Sequence, residues 1–180
     1  MRNEFCQTTH QGNGYCKGNG FLERIATSGG TFDTLHSGHK EYLCLAFDFA
    51  ERVRIYVTSD NYVKSKKNYK ALPYHTRVKK LKKLLNTLGV DKNRYEIRQL
   101  ESIAQVKNEL FHDDIYVAIV VPEYYALLRH VNKKRLDNGK NRILILVKER
   151  TRDHNHGDLS STVIRRTLKR RSECTSNGRR

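Results

Sequence analysis

Residues 29–39 read Gly-Gly-Thr-Phe-Asp-Thr-Leu-His-Ser-Gly-His. They join an apolar run at 25–28 to a segment at 37–50 in which Tyr42, Leu43, Leu45, Ala46 and Phe49 recur at helical spacing. That junction predicts a strand that turns through glycines into an amphipathic helix. His36 and His39 are about one helical turn apart, so both imidazoles fall on one face at the helix N-terminus. Backbone N–H groups there lack intrahelical acceptors, and the helix end carries partial positive charge. Gly29, Gly30 and Gly38 let phosphate groups approach the backbone. Two imidazoles beside open N–H groups make a site for phosphate that is gaining negative charge.

Strands and helices alternate outward from this turn. The pattern predicts strands at 21–28, 53–58, 95–100, 115–121 and 143–147. Helices are predicted at 37–50, 73–89, 102–111, 122–137 and 158–171, with Pro73 opening the second and Gly89 stopping it. The continuous apolar runs at 115–121 and 143–147 predict strands covered on both faces. The fold class is therefore α/β: a Rossmann-like, doubly wound, five-stranded parallel sheet with helices on both faces. Such sheets bind ligands beyond the carboxyl ends of their strands, where strand order reverses. The 29–39 turn lies at one of those ends.

The 180 residues suit one domain with a sizeable core, expected at 21–171. A polar lead-in (1–20) and a polar tail (172–180) flank it. The chain holds 35 Lys and Arg against 19 Asp and Glu, a formal charge of +16. That field attracts nucleotides, phosphorylated metabolites, nucleic acid or acidic membrane, and it says little about fold. Every apolar run is far shorter than the roughly 18 residues of a membrane span, and residues 1–20 lack the apolar core of a secretory signal. The reading is a cytoplasmic protein with reduced cysteines. Cys6, His10 and Cys16 match no standard zinc spacing. Cys44 falls on the apolar face of the first helix as a small core residue.

The GGTFD…H.GH pattern resembles the His-x-Gly-His nucleotidyltransferase superfamily, whose members move a nucleotide monophosphate from a nucleoside triphosphate onto a phosphate acceptor. A second string, Asp-Leu-Ser-Ser-Thr-Val-Ile-Arg-Arg at 158–166, resembles the ISSTxIR signature of its adenylyl-transferring members, with Leu159 in place of the first Ile. Cytidylyl-transferring members tend instead toward RTxGISTT. Between these motifs, Val57-Thr58-Ser59-Asp60, a lysine-rich loop (Lys64, Lys66, Lys67, Lys70), Pro73-Tyr74 and Arg77 are similar to the TSD…K…PYxxR stretch of archaeal and eukaryotic-type phosphopantetheine adenylyltransferases. One departure is Val121-Pro122-Glu123-Tyr124-Tyr125, where the family has a VSEETY-like stretch. Asn132-Lys133-Lys134-Arg135 still resembles the family's N..R segment, which helps enclose nucleotide and acceptor.

The resemblance implies transfer of AMP from ATP to 4′-phosphopantetheine, with Mg²⁺ accompanying the ATP and contacting few protein ligands. His36, His39 and Thr31 would carry the chemistry. Gly29, Gly30, Thr31, Phe32, His36, Gly38 and His39 would hold ATP, with Ser160, Ser161, Thr162 and Arg165 on its leaving pyrophosphate. Thr31, Lys66 or Lys67, and Arg77 would hold the acceptor phosphate. Asp33 would orient Thr31 or a backbone N–H, or ligate Mg²⁺, the structural role being favoured. His75, His112 and His130 read as surface residues, as do His154 and His156, which lie close to the second motif. The implied partners are ATP and a phosphorylated small molecule, with no membrane. The competing readings are another superfamily member (a phospho-alcohol cytidylyltransferase, or an FAD- or NAD-forming adenylyltransferase), an inactive relative, and a basic nucleic-acid-binding protein. The last draws on Lys79-Lys80, Lys82-Lys83 and the basic stretch at 165–171. Aromatics do not interleave with that stretch, so it forms no base-stacking platform.

Overall fold

The computed structural model describes residues 23–66 and 69–151. Five strands, β1 (Ile25–Gly30), β2 (Arg52–Thr58), β3 (Tyr95–Leu100), β4 (Val117–Val120) and β5 (Leu144–Val147), form one sheet. Its order is β3-β2-β1-β4-β5, and every pairing is parallel. The helices are α1 (Ser37–Phe49), α2 (Asp60–Lys66), α3 (Tyr74–Thr87), α4 (Ile103–His112) and α5 (Tyr125–Asp137). After β1 the chain winds outward through β2 and β3, then returns to place β4 on the other side of β1. The order therefore reverses between β1 and β4, at the carboxyl end where the 29–39 turn sits.

Helices cover both faces. Alternation along β2 sends Val53, Ile55 and Val57 into a core with Leu43 and Ala46 of α1 and Leu81 and Leu85 of α3. Full burial of one such side chain contributes about 1.5–3 kcal/mol. On the opposite face Leu110 of α4 and Leu128 and Val131 of α5 pack on Ala118, Val120 and Ile143. Beneath β2 and β3 that second face is ionic rather than apolar. Arg54 bonds Glu96 at 3.3 Å and also meets Asp113, while Arg98 bonds Glu96 at 2.7 Å and Glu109 at 3.0 Å.

α3 carries Arg77, Leu81 and Leu85 as one buried stripe at four-residue spacing, and its lysines point outward. Pro73 caps it, one position before the place expected. At its other end Gly89 adopts φ +72°, the left-handed region that favours glycine, and Val90 N–H closes onto Leu85 O at 3.1 Å.

Three expectations are corrected. The first strand starts at Ile25 rather than 21 and runs on to Gly30. The lysine-rich loop begins as a helix, α2: the Ser59 hydroxyl accepts Tyr62 N–H at 3.0 Å, and Val63 is buried as its apolar anchor. β5 is an edge strand rather than a covered one, with Leu144 and Val147 about half exposed. Helix 158–171, the lead-in 1–20 and the tail 172–180 lie outside the described residues.

Candidate nucleotidyltransferase site

The turn after β1 is built from the inside. Phe32 takes φ +52°, unusual for a non-glycine residue, and its ring is almost fully buried. Strain of this kind costs about 1–3 kcal/mol and gathers at functional sites. Here it places the Phe32 ring 5.2 Å from that of His39. His36 is the N-cap of α1 in extended conformation, and its carbonyl accepts His39 N–H at 3.0 Å. The two imidazoles lie 4.0 Å apart between centroids, tilted by 49°. A Cβ on Gly38 would lie 3.1 Å from the His36 ring and 3.0 Å from Thr151 Oγ1. A side chain at 38 would require the His36 ring or Thr151 to give by a few tenths of an ångström.

Burial lowers the pKa of both histidines. It pushes His39 down to about 3, with the neighbouring His36 adding to the effect. Burial likewise lowers His36, opposed by the nearby Glu41 carboxylate. Both rings are neutral at physiological pH, and each can donate through one N–H. The Nδ1 atoms of both are buried without a hydrogen-bond partner among the described residues.

Behind the turn stands Arg77, which is fully buried. It donates to Leu72 O at 2.8 Å, Thr31 O at 2.9 Å, Thr58 Oγ1 at 3.2 Å and Asp60 Oδ1 at 2.8 Å. This corrects the acceptor contact expected of Arg77. Its guanidinium faces inward and ties the turn to the end of β2 and the entrance of α3. Asp33 has the structural role, its carboxylate accepting Leu72 N–H at 2.7 Å. The N..R segment is also structural. Asn132 pairs with both backbone groups of Ile143 at 2.8 Å, and buried Arg135 donates to the carbonyls of Leu110, Phe111, Asp113 and Asn141.

Sequence reasoning missed three contributors. Tyr42, read only as an apolar residue, bridges the switch point: its hydroxyl donates to Ile119 O at 2.6 Å and accepts Gly29 N–H at 3.3 Å. Lys148 and Thr151 reach the α1 N-terminus from the end of β5, and a basic residue directly after an apolar strand was the available signal.

The structure thus brings Gly29, Gly30, Thr31, Phe32, His36, Gly38 and His39 together. Lys66 ends α2 on the exposed surface. Lys67, Ser160, Ser161, Thr162, Arg165, His154 and His156 lie outside the described residues. His75, His112 and His130 are exposed, and Cys44 is half-buried. An open groove of about 790 Å³ runs beside the turn, between Asp33, Thr34 and Leu35 and the lysines Lys70, Lys80 and Lys83. Neither histidine lines it. Among the described residues no three His, Cys, Asp or Glu side chains gather as a metal site, and no helix is long and apolar enough to cross a membrane.

The sequence model of the cytidylyltransferase-like family matches residues 27–167. A phosphopantetheine adenylyltransferase of Pyrobaculum aerophilum is 30% identical over 147 residues, covering 82% of this chain and 93% of that protein. A bifunctional phosphopantetheine adenylyltransferase/NTP phosphatase of Thermoplasma acidophilum is 38% identical over 115 residues, 64% of this chain. The match spans about a third (34%) of that longer relative. Among solved structures, a protein of unknown function from Archaeoglobus fulgidus aligns with a TM-score of 0.59 at 26% identity, over 76% of this chain and 99% of its own. The chain belongs to the cytidylyltransferase-like family and, inside it, to the phosphopantetheine adenylyltransferases.

Proposed function

We propose that the chain transfers the adenylyl group of ATP to the phosphate of 4′-phosphopantetheine, giving dephospho-coenzyme A and pyrophosphate. The observation that carries this reading is the close, neutral His36–His39 pair at the α1 N-terminus, placed at the switch point of a parallel sheet. The names of the relatives supply donor and acceptor.

An acceptor phosphate oxygen attacks the α-phosphorus of ATP, and the bond from that phosphorus to the bridging oxygen breaks. Pyrophosphate leaves with the electron pair. The nucleophile is already ionised, so catalysis is positioning and charge stabilisation. His36 and His39 donate hydrogen bonds to the α-phosphate as charge builds on it. Thr31, on the backbone that Arg77 fixes, places the acceptor with help from a lysine at or just after the end of α2. Ser160, Ser161, Thr162 and Arg165 hold the departing pyrophosphate.

Mg²⁺ would accompany the triphosphate as part of the substrate and neutralise its charge. Asp33, in the turn, is buried and its carboxylate accepts Leu72 N–H, which supports a structural role for it rather than a place on the ion. Phosphate oxygens and water suit Mg²⁺ as ligands. The protein works in the cytoplasm, where nucleotide and acceptor are available.

Mass spectrometry of the wild-type reaction tests this. Dephospho-coenzyme A formed from ATP and 4′-phosphopantetheine, and abolished in His36→Ala, supports the reading. An inactive wild type with a folded spectrum overturns it.

A further inference from the structure

The backbone ladder of β5 continues one bond past the strand, from Lys148 N–H to Val120 O at 2.8 Å. That bond carries Lys148 to the carboxyl edge of the sheet, on the far side of the switch point from β2. Its Nζ contacts Glu41 Oε2 at 3.0 Å and donates to Thr151 Oγ1 at 3.0 Å. Thr151 Oγ1 in turn donates to Glu41 Oε2 at 2.8 Å. Thr151 and the His36 ring both crowd the point where a Gly38 Cβ would stand. The cation is therefore one side chain away from the histidine pair, and its charge is felt at His36.

This arrangement is odd for a phosphate site. Glu41 lies about one turn into α1, at the end of the helix that favours a polyanion, and its carboxylate repels a triphosphate. The Glu41–Lys148 pair is also uneven: the lysine side chain is 18% exposed and the carboxylate 49%. Solvent reaches and screens the carboxylate side of the pair. A triphosphate carries several times the charge of one carboxylate, and the four-carbon stem of lysine lets Nζ swing between partners.

We propose that Lys148 is a further phosphate-binding residue of this site: it leaves Glu41 when ATP binds and contacts triphosphate oxygens beside His36. Before ATP binds, Glu41, Thr151 and the Glu149 carbonyl hold its ammonium. The proposal rests on ATP being the donor.

The test compares wild type, Lys148→Met, Lys148→Arg, Glu41→Gln and the Glu41→Gln/Lys148→Met double variant. Calorimetry measures binding of MgATP without acceptor, and steady-state kinetics follow pyrophosphate release. Lys148→Met lowers kcat/KM for ATP by about tenfold or more, the scale of one lost charged hydrogen bond. The KM for the acceptor stays close to wild type, and Lys148→Arg restores most of the rate. Glu41→Gln binds MgATP more tightly than wild type. The double variant remains as impaired as Lys148→Met. Recovery of wild-type activity in the double variant would mean that Lys148 merely neutralises Glu41, and the proposal would fall. Unchanged kinetics in Lys148→Met, with an active wild type, would defeat it too and leave the adenylyl transfer intact. A wild type that neither binds MgATP nor releases pyrophosphate would remove the donor assignment itself.

Discussion

The imidazoles of His36 and His39 lie 4.0 Å apart between ring centroids, at the first turn of α1, with neither Nδ1 satisfied among the described residues. Buried polar atoms without partners are uncommon in folded proteins. Here both belong to the histidine pair proposed to act on the reacting phosphate. On the proposed mechanism, replacing His39 by Ala removes one donor to the reacting phosphate, a loss that typically costs about 3–4 kcal/mol of transition-state stabilisation, hundreds-fold in rate. Steady-state kinetics show kcat falling on that scale, and circular dichroism shows the fold unchanged. A rate within tenfold of wild type contradicts the role.

The histidines also set a pH signature. In the folded chain His39 titrates at about 3, against 6.5 for an ordinary imidazole. Above the ordinary value both folded and unfolded forms are neutral, and stability from this group is fully present. As pH falls below it, the unfolded chain takes up a proton that the folded chain refuses, so stability declines toward the folded value. As pH falls from about 6.5 toward 3, the wild-type melting temperature therefore drops faster than that of His39→Asn. Parallel curves would mean that His39 titrates normally. On the proposed reaction, activity follows a different group: the acid limb of kcat/KM reports the second ionisation of the acceptor phosphate, at about 6. That limb stays in place in His39→Asn.

Gly38→Ala separates stability from activity. Alanine favours a helix over glycine by about 1 kcal/mol, so the melting temperature holds or rises. The added Cβ meets the His36 ring and Thr151, and displacing that ring by a fraction of an ångström lowers turnover by about tenfold or more. Kinetics and melting on one preparation check both halves. A variant as active as wild type would show that the His36 ring gives way freely.

Arg77 is a structural keystone, and its loss shows as instability. Arg77→Met leaves the buried Thr58 hydroxyl and the part-buried carbonyls of Thr31 and Leu72 without their donor, and a buried group so orphaned costs about 1–3 kcal/mol. Arg77→Lys restores little, because an ammonium cannot span the partners of a planar fork. Asp60→Asn costs less, since that carboxylate is half exposed. Urea unfolding ranks the three variants. An Asp60→Asn loss equal to that of Arg77→Met would place the stabilisation in the ion pair instead.

Much of this was legible in the chain, and the gaps have physical causes. The strand-glycine-helix junction is local, so residues 29–39 announced β1, α1 and the paired histidines. Alternation of elements gave the parallel sheet. The role of Arg77 was hidden because its partners Thr31 and Thr58 are 46 and 19 residues away and meet it only once the sheet forms. A guanidinium near a phosphate site reads as a ligand until its burial is known. α2 was read as a loop because Val63 is its one buried residue, too little for periodicity to register. β5 has the composition of a covered strand, and its edge position depends on sheet order rather than on its own sequence. The tyrosine hydroxyl at residue 42 has no sequence signal beyond its side-chain type.

The measurement that bears most directly on the central claim is pyrophosphate release with Mg²⁺, offering ATP and CTP each with 4′-phosphopantetheine. Release with ATP alone, with dephospho-coenzyme A as the co-product, is the predicted result. Release with CTP instead, or none with this acceptor under either nucleotide, would contradict it.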